Sequence, residues 1–146
     1  MRTFKRILLV EDDPRDIELT LNALGELNFA NEIMTVRDGV EALDYLYRRG
    51  EFAERSEGDP VVILLDLKMP RMSGAQVLKQ LKSDEKMRRI PVVVVTSSRE
   101  SRDLDECYSL GVNAYVVKSV RFPEFVDAVK GTGAFWTRIN EPPPHR

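Results

Sequence analysis

Four short stretches of the chain hold side chains that can do chemistry together. Glu11-Asp12-Asp13 is a run of three carboxylates, Asp66 is a fourth directly behind an apolar run, Thr96-Ser97-Ser98 supplies hydroxyls, and Lys118 supplies an ammonium. Carboxylates that share one crevice repel at low effective dielectric, so they either raise a pKa or hold a cation. Oxygen-only donors favour a hard cation. Mg2+ suits best, because it takes a few carboxylates, keeps several waters and accepts phosphate oxygens at its remaining positions. A carboxylate beside such an ion and a lysine can also act as a nucleophile toward a phosphoryl donor, giving an aspartyl-phosphate. The ion and Lys118 then neutralise the phosphoryl oxygens, and the Thr96 hydroxyl donates a hydrogen bond to them.

That chemistry requires a fold that brings the four stretches to one place. Four continuous apolar runs precede or include them: Ile7 to Val10, Val61 to Leu65, Val92 to Val95 and Ala114 to Val117. Continuous rather than alternating runs predict strands buried on both faces. A fifth stretch, Glu32 to Val36, alternates and reads as an edge strand. Between the runs lie stripes of helical period: Ile17, Leu21, Leu24 and Leu27; Leu43, Leu46 and Tyr47; Val77, Leu78 and Leu81; Leu104, Cys107 and Tyr108; Phe122, Phe125, Val126 and Val129. Strand and helix thus alternate five times, which predicts an α/β domain with a doubly wound, five-stranded parallel sheet. Asp13-Pro14 and Ser73-Gly74 mark helix starts, Pro91 opens the fourth strand, and Glu51 to Pro60 reads as a long surface loop. In such sheets ligands gather beyond the carboxyl ends of the strands, where Glu11 to Asp13, Asp66, Thr96 and Lys118 all fall.

Composition narrows the function further. The chain has 146 residues with 22 basic and 24 acidic side chains, a formal charge of −2 and 42% hydrophobic positions, which describes one ordinary domain. One cysteine, Cys107, and one histidine exclude an internal disulfide and a Cys/His zinc cluster. The near-neutral balance argues against nucleic-acid binding, and apolar runs of at most five residues argue against a membrane span. Met1 to Arg6 does not read as a signal peptide, so the cytoplasm is the expected location. Residues 140–146 form a Pro-rich tail expected to be extended or disordered.

Val10-Glu11-Asp12-Asp13, Asp66-Leu67-Lys68-Met69-Pro70-Arg71-Met72-Ser73-Gly74, Thr96-Ser97 and Lys118, in this order and spacing, resemble the receiver domain of two-component response regulators. The likeness covers roughly residues 5 to 130 and, with the elements that follow, gives a receiver domain over residues 1–139. It implies a flavodoxin-like (βα)5 fold with strand order 2-1-3-4-5. It implies Asp66 as phosphoacceptor, Asp12 as a direct Mg2+ ligand, Glu11 acting mostly through water, and the backbone carbonyl of Lys68 as a further ligand. Thr96 becomes the switch hydroxyl, Lys118 the phosphate-pairing lysine and Tyr115 the aromatic switch residue. It implies a phosphoacceptor switch rather than an enzyme, with a sensor histidine kinase as input. As output it implies altered association, including a homodimer through the fourth helix, fifth strand and fifth helix. Lys118-Ser119, the long loop before the third strand and the ending from Lys130-Gly131 to Phe135-Trp136 resemble the single-domain regulators that serve bacterial phytochromes. Two positions depart from the family pattern: Ser119 stands where receivers usually have proline after the lysine, often in cis, and Ser97 is bulkier than usual beside the switch hydroxyl.

Plainer roles compete at several residues. Asp13 is a natural N-cap before Pro14, with Asp16 favouring the positive helix end. Lys118 alone would be a surface lysine, Thr96 a strand end bonded to nearby backbone, Tyr115 a packing residue, and Cys107 a small buried hydrophobe. Phe135 and Trp136 either fold back on their own domain or form a partner surface. Two other functions also fit parts of the pattern. A Mg2+-dependent phosphatase with an aspartyl nucleophile would need a second acid two residues on, where Lys68 stands. A nucleotide- or flavin-binding module would need glycines where the first turn has Glu11-Asp12-Asp13-Pro14.

Overall fold

The computed structural model describes residues 6–27 and 33–144. Strands form where the apolar runs predict them: β1 (Ile7–Val10), β2 (Ile33–Val36), β3 (Val62–Leu65), β4 (Val92–Thr96) and β5 (Ala114–Val117). All pair in parallel, in the order β2-β1-β3-β4-β5. Each is followed by a helix: α1 (Pro14–Gly25), α2 (Gly39–Tyr47), α3 (Gly74–Ser83), α4 (Ser101–Leu110) and α5 (Phe122–Ala134). The period of two along each strand splits the core into two layers. Leu8, Val10, Ile63, Leu65 and Val94 face α2, α3 and α4 through Leu46, Leu78, Leu81 and Cys107. Ile7, Leu9, Val62, Leu64 and Val93 face α1 and α5 through Ile17, Leu24, Phe125 and Val129. Most of these side chains are fully buried, each contributing about 1.5–3 kcal/mol of transfer free energy.

Local chemistry sets where the helices begin. Asp13 caps α1, its carboxylate accepting from the Arg15 N–H at 2.8 Å, and Pro14 occupies the first turn where a missing N–H costs nothing. Ser73 caps α3 in a reciprocal box with Gln76. Asp38 caps α2 through the Glu41 N–H at 2.8 Å. Gly74 is required by space: a Cβ there would run into the Asp66 carbonyl oxygen. The start of α3 is therefore wedged against the end of β3.

Several expectations are corrected. The run Ala114 to Val117 forms a strand, but β5 is the sheet's edge and only half-buried along its length. Tyr108 and Phe122, assigned to core stripes, are each 57% exposed. The loop Glu51 to Pro60 is more than a solvated connection. Phe52, in a short 3-10 turn at Gly50–Phe52, meets the Tyr45 ring edge-on, and the Arg55 side chain is buried over the same ring and bonded to the Tyr45, Glu57 and Gly58 carbonyls. Phe135 and Trp136 meet edge-on, ring centroids 5.0 Å apart, but differ in burial. A π-helical turn, Phe135–Ile139, follows α5 and packs Trp136 on the α1/α5 layer while Phe135 stays exposed. Met1 to Lys5, Glu32 and His145-Arg146 lie outside the described residues. Among those described, no helix is long and apolar enough to cross a membrane.

Candidate functional site

Main-chain register brings the chemical residues together. The β1 and β3 ladders run Ile7 to Val62 through Val10 to Leu65, and the Asp66 N–H continues the pairing to the Val10 carbonyl at 3.1 Å. The Glu11 N–H does the same to Val36 at 3.0 Å, and the Lys118 N–H to Thr96 at 2.7 Å. Glu11, Asp66, Thr96 and Lys118 are thus held by backbone bonds at four adjacent strand tips.

Their side chains form one acidic crevice around one cation. Oxygens of Glu11, Asp12 and Asp66 lie within 4.8 Å of one another, a span that a single metal ion can bridge. One Asp66 oxygen accepts from the Leu67 N–H at 2.8 Å, and the other lies 3.6 Å from the Lys118 ammonium. Lys118 is held more tightly by Glu11 Oε1 and Asp16 Oδ2, both at 2.7 Å. Burial pushes the Glu11 carboxyl up to about 7 despite its bond to Lys118, and the Asp66 charge adds to the rise. Burial opposes the charged form of Lys118, but its bonds to Asp16 and Glu11 and the charge of Asp66 outweigh this and raise it above its ordinary value. Several carboxylates thus share one ammonium, an imbalance that a divalent cation would correct. The donor set is all oxygen, as a hard cation needs.

Thr96 is buried at the end of β4, its hydroxyl 3.4 Å from the Ser98 N–H. Beyond it a small network ties the start of α4 to β5: Tyr115 donates to the Ser98 carbonyl at 3.0 Å, and the Ser98 hydroxyl donates to Asp103. Lys68 sits on the loop after β3 with its side chain exposed. The Lys118-Ser119 bond is trans, and the Ser119 hydroxyl bonds Glu124 at 2.9 Å, pinning the loop to the first turn of α5.

Two contacts at the site have no counterpart in the sequence reading. Asp16, expected only to favour the positive end of α1, grips Lys118; its place in the first turn of that helix is what lets it reach the strand tips. Arg71 occupies a left-handed conformation (φ 64°) and clasps Asp38 with two hydrogen bonds, 2.9 and 3.1 Å, docking the loop after β3 on the start of α2. No sequence signal marks that pair.

The fold and the crevice define a phosphoryl-receiving signalling domain, and comparison with known proteins agrees. A model of the response regulator receiver domain matches residues 7–130. The chain belongs to that family. It is 41% identical over 137 residues, 94% of this chain and 86% of the relative, to the probable methanogenesis regulatory protein FilR2 of Methanothrix harundinacea. Response regulator Rcp1 of Synechocystis is 37% identical over 90% of this chain and 88% of its own, and its Mn2+-bound crystal structure matches over 96% of this chain and 99% of that one with a TM-score of 0.90. The phosphorylated cyanobacterial phytochrome response regulator RcpA matches with a TM-score of 0.91 and 42% identity over 97% and 100% of the two chains. The bacteriophytochrome response regulator RtBRR is 56% identical over 97% of this chain and 86% of that one, with a TM-score of 0.78.

Proposed function

We propose that Asp66 is the phosphoryl acceptor of this response regulator. The observation that carries it is the crevice itself, where Glu11, Asp12 and Asp66 converge and Lys118 faces the Asp66 carboxylate. Glu11, Asp12 and Asp66, with the Lys68 carbonyl, would hold a divalent cation, Mg2+ by donor type, which supplies positive charge to the phosphoryl oxygens during transfer. Asp66 attacks the phosphorus of a phosphohistidine; the new O–P bond forms as the N–P bond breaks, and the departing imidazole keeps the electron pair and takes a proton from solvent. Leu67 N–H orients the attacking carboxylate, and Lys118 pairs with the phosphoryl oxygens. Thr96 then gives up its contact with Ser98 to donate to the phosphoryl group, which loosens the Ser98 segment on which Tyr115 rests.

A sensor histidine kinase is the natural donor. The likeness to RcpA and RtBRR supports one linked to a phytochrome, acting in the cytoplasm. The exposed Tyr108 on α4 and the half-buried edge β5 support an output by association with a second copy or partner through the α4-β5-α5 face. The phosphatase reading lacks its second acid, since Lys68 stands in that place.

The test is incubation of the full chain with acetyl phosphate and Mg2+, followed by intact mass measurement. A gain of one phosphoryl group is expected that hydroxylamine removes, that EDTA prevents and that Asp66→Asn abolishes. Undiminished labelling of Asp66→Asn would overturn the assignment. Sizing with and without beryllofluoride and Mg2+ tests the association.

A further inference from the structure

Lys118 has three N–H groups and meets three carboxylates, but unequally: Glu11 and Asp16 at 2.7 Å, Asp66 at 3.6 Å. Glu11 and Asp66 belong to the trio that can close on a cation. Asp16 is outside that trio. It comes instead from the first turn of α1, where helix amides favour a carboxylate, and that turn is fixed by Asp13, which accepts from the Arg15 and Asp16 N–H groups. Asp16 is therefore the one close partner of Lys118 that cation binding does not draw on.

We propose that Asp16 is a positioning residue that anchors Lys118 short of Asp66, leaving the Asp66 carboxylate open to the divalent cation and to the phosphoryl donor. The inference rests on the reading of Asp66 given above. Lys118 is only 13% exposed in its side chain, and a largely buried ammonium does not leave a donor unused when a carboxylate is within reach. Without Asp16 it closes on Asp66. That pair then competes with the cation for the Asp66 carboxylate, so the anchor favours cation binding beyond the attraction of its own charge.

A double-mutant cycle separates the two effects. Mg2+ affinity is measured by calorimetry on the full chain for the wild type, Asp16→Asn, Lys118→Met and the double variant, with thermal unfolding of each to show that it is folded. Asp16→Ser, which suits a first helical turn, serves as a second substitution. Loss of Asp16 is expected to weaken Mg2+ about fivefold with Lys118 present and less than twofold in Lys118→Met, the size of one modest ion-pair rearrangement. Equal factors in the two backgrounds would mean that Asp16 acts only as a distant charge, and would overturn the proposal. An unchanged affinity in Asp16→Asn and Asp16→Ser would overturn it too, while leaving the reading of Asp66 intact. A wild type that binds no Mg2+ would overturn both.

Discussion

Arg71 shows how one residue can be strained and stabilising at once. Its left-handed backbone costs roughly 1–2 kcal/mol in a residue with a Cβ. Its guanidinium recovers part of this through two bonds to Asp38, whose side chain is largely buried and also caps α2. Since the Arg71 side chain is itself 59% exposed, the pair is worth about 1 kcal/mol at most. Arg71→Gly loses the pair but also the strain, and is expected to change stability by less than about 0.5 kcal/mol. Arg71→Ala keeps the strain and loses the pair, so chemical denaturation should show it less stable by about 1 kcal/mol. Matching losses in the two variants would refute the strain. Cys107 gives a second check at this scale, since burial pushes its thiol up to about 11. At pH 8 it should react with a disulfide reagent roughly a hundredfold more slowly in the folded protein than in guanidinium, where an ordinary thiol is partly ionised. What the sequence discloses at the residue scale is type and place. Asp12, Asp66 and Lys118 were legible because a charge at the end of a buried strand is costly unless an opposite charge or an ion meets it there. Asp16 and Arg71 were not, because their partners lie on other elements and are chosen by backbone direction, which composition does not encode.

At the scale of elements, the link between β3 and α3 is the one the site depends on most. Gly74 packs directly on the Asp66 main chain, and its N–H bonds the Leu67 carbonyl at 2.8 Å. A methyl group at Gly74 meets backbone, which cannot swing aside as a side chain can. Gly74→Ala is expected to cost about 3 kcal/mol, because the Asp66 main chain must move to admit the methyl group. Gly131, inside α5 with nothing near its Cβ position, offers the contrast: Gly131→Ala should stabilise by about 0.5–1 kcal/mol through helix propensity alone. Thermal unfolding of both variants decides. If Gly74→Ala were as benign as Gly131→Ala, the wedge would not hold Asp66 in place. The elements themselves were legible, because strands buried in a parallel sheet leave uninterrupted apolar runs. Their burial was not. Ala114 to Val117 reads like the inner strands, but the chain order places it at the edge, and α4 buries only Cys107 among its residues. Periodicity reports that a face is apolar, not that another element covers it.

Over the whole molecule the two ends of the sheet are built differently. At the amino ends of the strands the charged groups find local partners: Glu57 meets Arg6 at 2.7 Å, and the Lys82 ammonium donates to the neutral Arg88 and Ile90 carbonyls and the Asn113 amide. At the carboxyl ends Glu11, Asp16 and Asp66 all converge on Lys118, and Asp12 lies beside Glu11 and Asp66. The alternation of five strands with five helices made this polarity legible, since parallel strands put every strand tip on one side, but the surplus of acid over base there emerges only with the distances. Such a surplus would couple stability to a divalent cation bound there. At one hundred times its dissociation constant Mg2+ should stabilise the wild type by about 2.7 kcal/mol, a rise in melting temperature of roughly 5–10 °C for a chain of this size. Asp12→Asn removes one repelling charge. It should melt higher than the wild type in EDTA, by about 0.5–1 kcal/mol, and gain much less from Mg2+, so that the two curves change order as the ion is added. A variant that melts lower in EDTA would mean that Asp12 is held by attraction rather than repulsion. One that gains as much from Mg2+ as the wild type would place the ion away from Asp12.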